Sequence, residues 1–276
     1  MIKRLILAIL FSLFLSSQTW ASDLVLHLNM NEASGNLTDL SGYGNNCTAN
    51  GSPDYSQTTY LPNRGTAIGF DGSTDWFNCG TGSSLNLTGN FTIMAWVYPQ
   101  ESGYGGILSH DNGDGAANIS WLLYLSSSSI IKGFISNGTT YSLTSGYSYI
   151  QNNWIHATFV LSSTQLILYI NGVATTPTTR TLNPQSQPTW TIKLGRYDTT
   201  ATYYAQARID EVKVYNYALS ATQILQQEYQ QSRLVMSRKH EPWKWTDLFN
   251  LAFNMKGDQI YEKDQRISYL REHPIN

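Results

Sequence analysis

From Leu24 to Tyr215 short runs of β-branched and aromatic residues are separated by polar breaks, the spacing of strands rather than of helices. LVLHLNM (Leu24–Met30) comes first. CTANGSPDY, TAIGF, DWFNCG, FTIMAWVYP, GGILSHD, WLLYLS, IIKGFIS, TTYSLTS, WIHATFVL, QLILYING, TIKLGRYD and ARIDEVKVYNY follow. Asp71-Gly72, Asn137-Gly138 and Asn171-Gly172 mark turns between runs, because these pairs tolerate the positive φ that tight hairpins need. Short strands at even spacing, with no helical period between them, predict an all-β, antiparallel two-sheet sandwich. The strand beginning at Leu24 is expected beside Val212–Tyr215, since the chain ends of such sandwiches often pair. Only ALSATQILQQEYQQ (Ala218–Gln231) has a helical pattern, with Ser220 placed to cap it.

Both ends of the chain differ from this middle. Lys3 and Arg4 precede an apolar run, Leu5–Leu15, that is too short to span a bilayer, which takes about 20 residues. SSQTWA then closes the segment with small and polar residues. Met1–Ala21 therefore reads as a secretory signal cleaved after Ala21, and the expected location is secreted, periplasmic or cell-surface. No later run is long and apolar enough to span a membrane. Residues 22–231 form the β domain, and 232–276 a tail of a second composition. The tail holds eight of the chain's 17 Lys and Arg against six Asp and Glu, with PWKWTDLFNLAF and a helical-looking DQIYEKDQRISYLREH. It reads as a partner-docking segment or as a loosely packed extension.

Charge narrows the partners. A formal net charge of −2, with no basic stripe in the β region, argues against nucleic acid. Cys47 and Cys79 are the only cysteines. Export would place them in an oxidising compartment, and their neighbours (NNCTANG, FNCGTG) are small and polar, which favours a disulfide over two buried thiols. Zinc-ligand spacing is absent. Six Asn-x-Ser/Thr sequons (Asn36, Asn46, Asn86, Asn90, Asn118 and Asn137) would carry glycans only in a eukaryotic secretory route.

FTIMAWVYP, NNWIHATFVLSSTQLILYINGVAT and ARIDEVKVYNYALSATQI, in this order, resemble the laminin-G-like jelly-roll domains of the concanavalin A-like lectin/glucanase superfamily. The resemblance runs from Leu24 to about Tyr229. It implies a jelly roll that serves lectins, adhesion modules and glycan hydrolases alike, so function has to come from the site. It also implies that Trp96, Trp121 and Trp154, at the family's recurring aromatic positions, pack in the interior. In several relatives an Asp-x-Ser-Gly loop near the first strand and an Ile-Asp-Glu-Val strand near the last supply oxygens to a structural calcium ion. Here Asp39, Asn45 and Asp210 stand at those places, with Asn29 and Glu32 nearby. Calcium takes 6–8 oxygen ligands. Without an ion, Asp39 would form an Asx-turn and Asp210 would cap a loop.

The acids weigh against hydrolysis. Superfamily glucanases carry Glu-x-Asp-x-Glu or Glu-x-Asp-x-x-Glu on one strand face, which sets the roughly 5–5.5 Å separation of a retaining pair. No such triplet occurs. Asp210-Glu211 is the only adjacent acid pair, and alternation predicts opposite faces for it. Asp71 and Asp75, and Asp111 and Asp114, lie in Gly-rich loops without a Glu partner. Sugar binding needs exposed flat rings flanked by polar groups. Tyr104, Tyr147, Tyr149, Trp190 and the pair Tyr203-Tyr204 are the candidate rings, with Asp111, Asn112 and Asp114 as the polar rim. The sequence thus points to a secreted, non-catalytic carbohydrate-binding or adhesion module for a glycan or cell-surface ligand. An extracytoplasmic protein-interaction module acting through the tail is the second reading, and a glycan hydrolase or lyase the third.

Overall fold

The strand-patterned segments form two antiparallel sheets packed face to face. The computed structural model describes residues 23–60, 65–113, 115, 117–198 and 203–236. The expected signal Met1–Ala21, Asp114 and the tail beyond Met236 lie outside them. The chain divides into units Met1–Ser232 and Arg233–Asn276, and both sheets belong to the first.

One sheet runs, strand by strand, Val173–Ala174, Gln165–Ile170, Ile155–Leu161, Phe91–Pro99, Gln206–Tyr215, Ala67–Asp71 and Asp54–Gln57. Leu24–Leu28 lies along Gln206–Tyr215, with Leu28 opposite Val212, so the first and last strands pair as expected. The other sheet runs Tyr141–Leu143, Ile130–Ser136, Ile119–Ser126, Gly105–Asp111, Thr191–Leu194, Trp76–Asn78 and Thr48–Asn50. At Asn171-Gly172 both residues have positive φ, 49° and 74°, as a two-residue hairpin turn of the mirror-image type requires.

Alternation decides which side chains meet between the sheets. Ile93, Ala95 and Val97 point inward from one sheet, and Trp121, Leu123 and Leu125 from the other. A Cβ on Gly133 would lie 2.5 Å from the Phe159 ring, so the absence of a side chain there lets that ring fill the core. The expectation for the tryptophans needs correction. Trp121 is in the core, fully buried. Trp96 alternates with Ala95 and Val97 and so lies on the outer face of its sheet. It is buried there because Tyr60 stacks on it at 3.6 Å. Trp154 is only half-buried, on that same outer face, beside Tyr98.

The helix begins at Ala221, three residues later than the pattern suggests, and extends to Met236. Ser220 Oγ accepts from Gln223 N–H at 3.3 Å, and Gln223 Oε1 accepts from Ser220 N–H at 2.7 Å, a reciprocal capping box. Leu219 and Ile224 then cover Met94, Val160, Tyr169 and Tyr215 on the outer face of the first sheet.

TIKLGRYD is not one strand. Thr191–Leu194 pairs in the second sheet, Gly195 turns at φ 87°, and Arg196–Tyr197 pairs with Tyr203–Tyr204 as a small hairpin lying over that sheet's outer face. A Cβ on Gly195 would clash with the Phe70 ring, and one on Gly106 would clash with the Arg196 backbone. Gly106, and Gly105, whose Cβ would clash with the Ala205 backbone, thus let the hairpin lie directly on the sheet.

Candidate functional site

This hairpin builds an aromatic surface. Tyr197 and Tyr203 stack at 4.6 Å with ring planes 8° apart, and Tyr124 meets Tyr197 edge-on at 5.9 Å. Tyr104 meets Tyr203 at 5.7 Å, and Ser127 Oγ donates to Tyr104 Oη at 3.4 Å. On the neighbouring strands Tyr141 stacks on Phe134 at 5.4 Å, and Phe134 packs on the cluster of Tyr124 and Tyr197. Burial pushes the Tyr124 hydroxyl up to about 12, helped by Tyr104 and Tyr141, so it stays a neutral phenol. Tyr104 is 47% exposed and Tyr141 59%, so two rings of the surface are open to a ligand.

The surface continues past Tyr204. Arg196 lies between Trp76 and Tyr204, 5.0 and 4.5 Å from their ring centres, and its Nη1 donates to Tyr204 Oη at 2.9 Å. Between Tyr204 and Tyr104 is an open cleft of about 160 Å³, lined by Glu101, Leu125 and Gln206 with Gly103 and Gly105. It encloses no water-sized space, so a ligand would lie across it rather than inside it. With its amide nitrogen facing Glu101, Gln206 donates to Oε2 at 2.6 Å and Oε1 at 3.1 Å.

Residues 71–225 match the laminin-G-like family of the concanavalin A-like lectin/glucanases superfamily. The chain belongs to this family. No curated protein matches it. Among solved structures it is similar to the receptor binding domain of botulinum neurotoxin C/D mosaic serotype. That likeness has 16% identity and a TM-score of 0.59, over 76% of this chain and 52% of that one. The binding domain of Paraclostridial Mosquitocidal Protein 1 gives 17% and 0.60, over 76% and 52%. The botulinum neurotoxin serotype D ligand binding domain in complex with N-acetylneuraminic acid gives 16% and 0.59, over 77% and 52%. The chain spans about half the length of these structures, and at such identity the likeness is one of fold.

Within this laminin-G-like frame the candidate rings and rim separate. Tyr104 joins the aromatic surface. Tyr147, 39% exposed, lies on the edge strand beside Ile131 and makes no ring contact among the described residues. Tyr149 is buried and donates its hydroxyl to the Glu101 carbonyl at 3.0 Å, so it is a packing residue rather than a platform. Trp190 is half-buried, edge-on to His110 at 6.1 Å. Asn112 is exposed, with its N–H on the Asn118 carbonyl at 2.8 Å. Asp111 is the clearest correction. It ends a strand instead of lying in a loop, is fully buried, and accepts from Lys193 Nζ at 2.5 Å, Ser109 Oγ at 2.5 Å and Asp198 N–H at 2.9 Å. Burial pushes its carboxyl up and the Lys193 ammonium down, and their pairing opposes both shifts. The pair lies under the hairpin, out of reach of a ligand. Tyr124, Tyr141, Trp76 and Arg196 are functional candidates that the sequence pattern does not single out. For Tyr124 the signal is the strand phase, hidden because WLLYLS is buried on both faces.

The proposed calcium ligands are held otherwise. Asp39 accepts from His27 N–H at 3.0 Å, Ser41 N–H at 2.9 Å, Ser41 Oγ at 2.8 Å and Asn45 N–H at 2.9 Å. Asn45 turns its amide nitrogen to the Val25 carbonyl and Ser84 Oγ. Asp210 accepts from the Thr59 hydroxyl. The Asp39 carboxylate is thus ringed by N–H and O–H donors. Among the described residues no group of three or more His, Cys, Asp or Glu could hold a metal.

The Asp210-Glu211 pair also departs from expectation. A bulge between Asp210 and Lys213, with Glu211 at φ 50°, turns Glu211 to the outer face, where it meets Lys213 at 3.2 Å and His27 at 3.3 Å. Asp71, in its Gly-rich turn, accepts from Ser73, Thr74 and Asp75.

Proposed function

We propose that this chain is a secreted, non-catalytic carbohydrate-binding or adhesion module that lays a glycan across the aromatic face of its second sheet. The observation that carries this reading is the pair of open rings, Tyr104 and Tyr141, set in a continuous tyrosine surface beside a shallow cleft with Gln206 and Glu101. Flat rings shed water against the C–H face of a pyranose, and the amide and carboxylate meet its hydroxyls. Of the acids weighed for hydrolysis, Asp111 is engaged with Lys193, Glu211 with Lys213 and Asp210 with Thr59. Secretion rests on the Met1–Ala21 pattern. No helix of the described residues is long and apolar enough to cross a membrane.

A glycan array, followed by calorimetry on any hit, tests this. Covering one face of a ring contributes on the order of 1 kcal/mol, so Tyr104→Ala and Tyr141→Ala should each weaken binding roughly tenfold with the fold intact. An array without hits, or hits indifferent to both substitutions, would sink the proposal. Reducing-sugar release abolished by a single Asp or Glu change would restore the hydrolase reading.

Calcium has its own test. Because Asp39 is satisfied by protein donors, we expect chelation to leave the melting temperature unchanged. A fall on chelation, reversed by added calcium and absent in Asp39→Ala, would reinstate the ion.

A further inference from the structure

The outer face of the first sheet, opposite the aromatic surface, is covered in two places. The helix end covers Met94 and Tyr215, and Tyr60 covers Trp96. The remaining end carries Trp154, Tyr98 and Arg208 in a row across three neighbouring strand positions. Register puts Arg208 opposite Tyr98, and Ile155 opposite Val97, so Trp154 adjoins Tyr98 from the other side. The Trp154 and Tyr98 rings lie 5.5 Å apart, and the Arg208 guanidinium lies 4.8 Å from the Tyr98 ring centre. Nη1 of Arg208 donates to Thr58 Oγ1 at 2.8 Å, which fixes the group in place. All three side chains are half-buried.

The charge of Arg208 is uncompensated at contact range. Among the described residues no carboxylate forms a salt bridge with it; those recorded are His27 and Lys213 with Glu211, and Lys193 with Asp111. Asp54 feels its field, but that carboxylate already accepts from Ser56 N–H, Ser56 Oγ and Gln57 Nε2. Arginine keeps its charge at any ordinary pH; here Thr58 holds Nη1 and Nε is buried, which leaves the rest of the planar group to donate to an oxygen of a carboxylate or sulfate. A fixed guanidinium without a carboxylate partner, next to two partly open rings, is suited to a ring-shaped ligand that carries an anionic group.

We propose that Trp154, Tyr98 and Arg208 form a second saccharide subsite, specific for an anionic sugar whose sulfate or carboxylate meets Arg208 while its apolar face rests on Trp154 and Tyr98. The module would then hold glycans on both faces, and an acidic polymer could bridge copies of it. The two subsites share no residue, so each can fail without the other.

The test titrates the full chain with dextran sulfate, polygalacturonate and neutral dextran in calorimetry at fixed ionic strength. At least one charged polymer should bind, and neutral dextran should not compete for this subsite. Arg208→Gln and Trp154→Ala should each weaken charged-polymer binding by tenfold or more, and Arg208→Lys by less. Which polymer binds tells sulfate from carboxylate recognition. Thermal melts confirm that the variants fold, and recovery in Arg208→Lys separates lost charge from lost structure. Failure of both charged polymers to bind overturns the proposal. So does binding that responds to salt but is indifferent to Arg208→Gln and Trp154→Ala, or that is lost only with Tyr104→Ala. A protein ligand lost with Arg208→Gln, alongside no polymer binding, would give this face to a protein partner instead.

Discussion

Replacing Cys47 and Cys79 together by alanine is expected to lower the unfolding free energy by about 3–4 kcal/mol, the cost of releasing a loop of this length in the chain-entropy treatment. The two residues are bonded and are 32 positions apart. Both are buried, so alanine leaves no orphaned hydroxyl as serine would. The bridge ties two separate elements together. Cys47 exchanges backbone hydrogen bonds with Leu37, just before the strand Thr48–Asn50. Cys79 donates its N–H to Ile192, after the strand Trp76–Asn78. Between them the chain crosses to the first sheet through Asp54–Gln57 and Ala67–Asp71 and returns. Without the bridge, the unfolded chain regains the freedom of that excursion. Urea titration of the parent, with and without reductant, and of the double alanine variant reads the difference. Equal midpoints in all three would show that the bridge contributes nothing beyond packing.

The fold was legible because its signal is local. Period-two runs, Asn-Gly turns and the order of three long segments depend on residues close in sequence, and most runs became the strand they suggested, TIKLGRYD excepted. The site was legible only in part, because its defining facts are long-range. Asp111 stands in HDNGDG, which reads as a polar loop, yet its partner Lys193 is 82 positions away and nothing near Asp111 announces burial. FTIMAWVYP shows two apolar faces. Sequence alone does not reveal that Ile93, Ala95 and Val97 face the core while Met94 and Trp96 face outward under other cover and Tyr98 faces outward partly open. Trp76 and Arg196 meet only because Gly195 breaks TIKLGRYD and folds the next residues onto the sheet. Tyr104, flanked by glycines in a loop, and the pair Tyr203-Tyr204 were the candidates that local reasoning could reach. Tyr124 and Tyr141 required knowledge of strand phase and strand neighbours.

Acid is expected to destabilise this protein well above the range where carboxylates titrate, through two buried histidines. His156 is fully enclosed beside Trp96, and neither ring nitrogen has a hydrogen-bond partner among the described residues. Burial pulls its pKa down from 6.5 to about 3. The Lys213 charge pushes the same way, and Glu211 opposes. His110 lies between Trp121 and Trp190. Burial is again the main cause and brings it to about 4, with Lys193 adding to the fall. Hydrogen bonds to the Gln187 and Trp190 backbones resist it. Both groups therefore stay neutral in the folded protein while the unfolded chain takes up protons near pH 6.5. The unfolded state binds more protons throughout that window, so stability falls as pH falls from about 6.5 toward 4. The slope approaches about 1.4 kcal/mol per pH unit for each histidine. Asp71, Asp54 and Glu211, whose pKa values lie below their ordinary 3.8, 3.8 and 4.5, add their own loss only nearer those values. The window from pH 6.5 to 5 lies above the range of those three; Asp111, whose carboxyl burial pushes up, contributes with the opposite sign, so the comparison of parent with variant isolates His156. His156→Phe should remove about half of the slope there, and because no ring hydrogen bond is lost it should cost little at pH 8. Urea titrations of parent and variant across that window decide the matter, since equal pH dependence would mean that His156 is not the buried neutral group described.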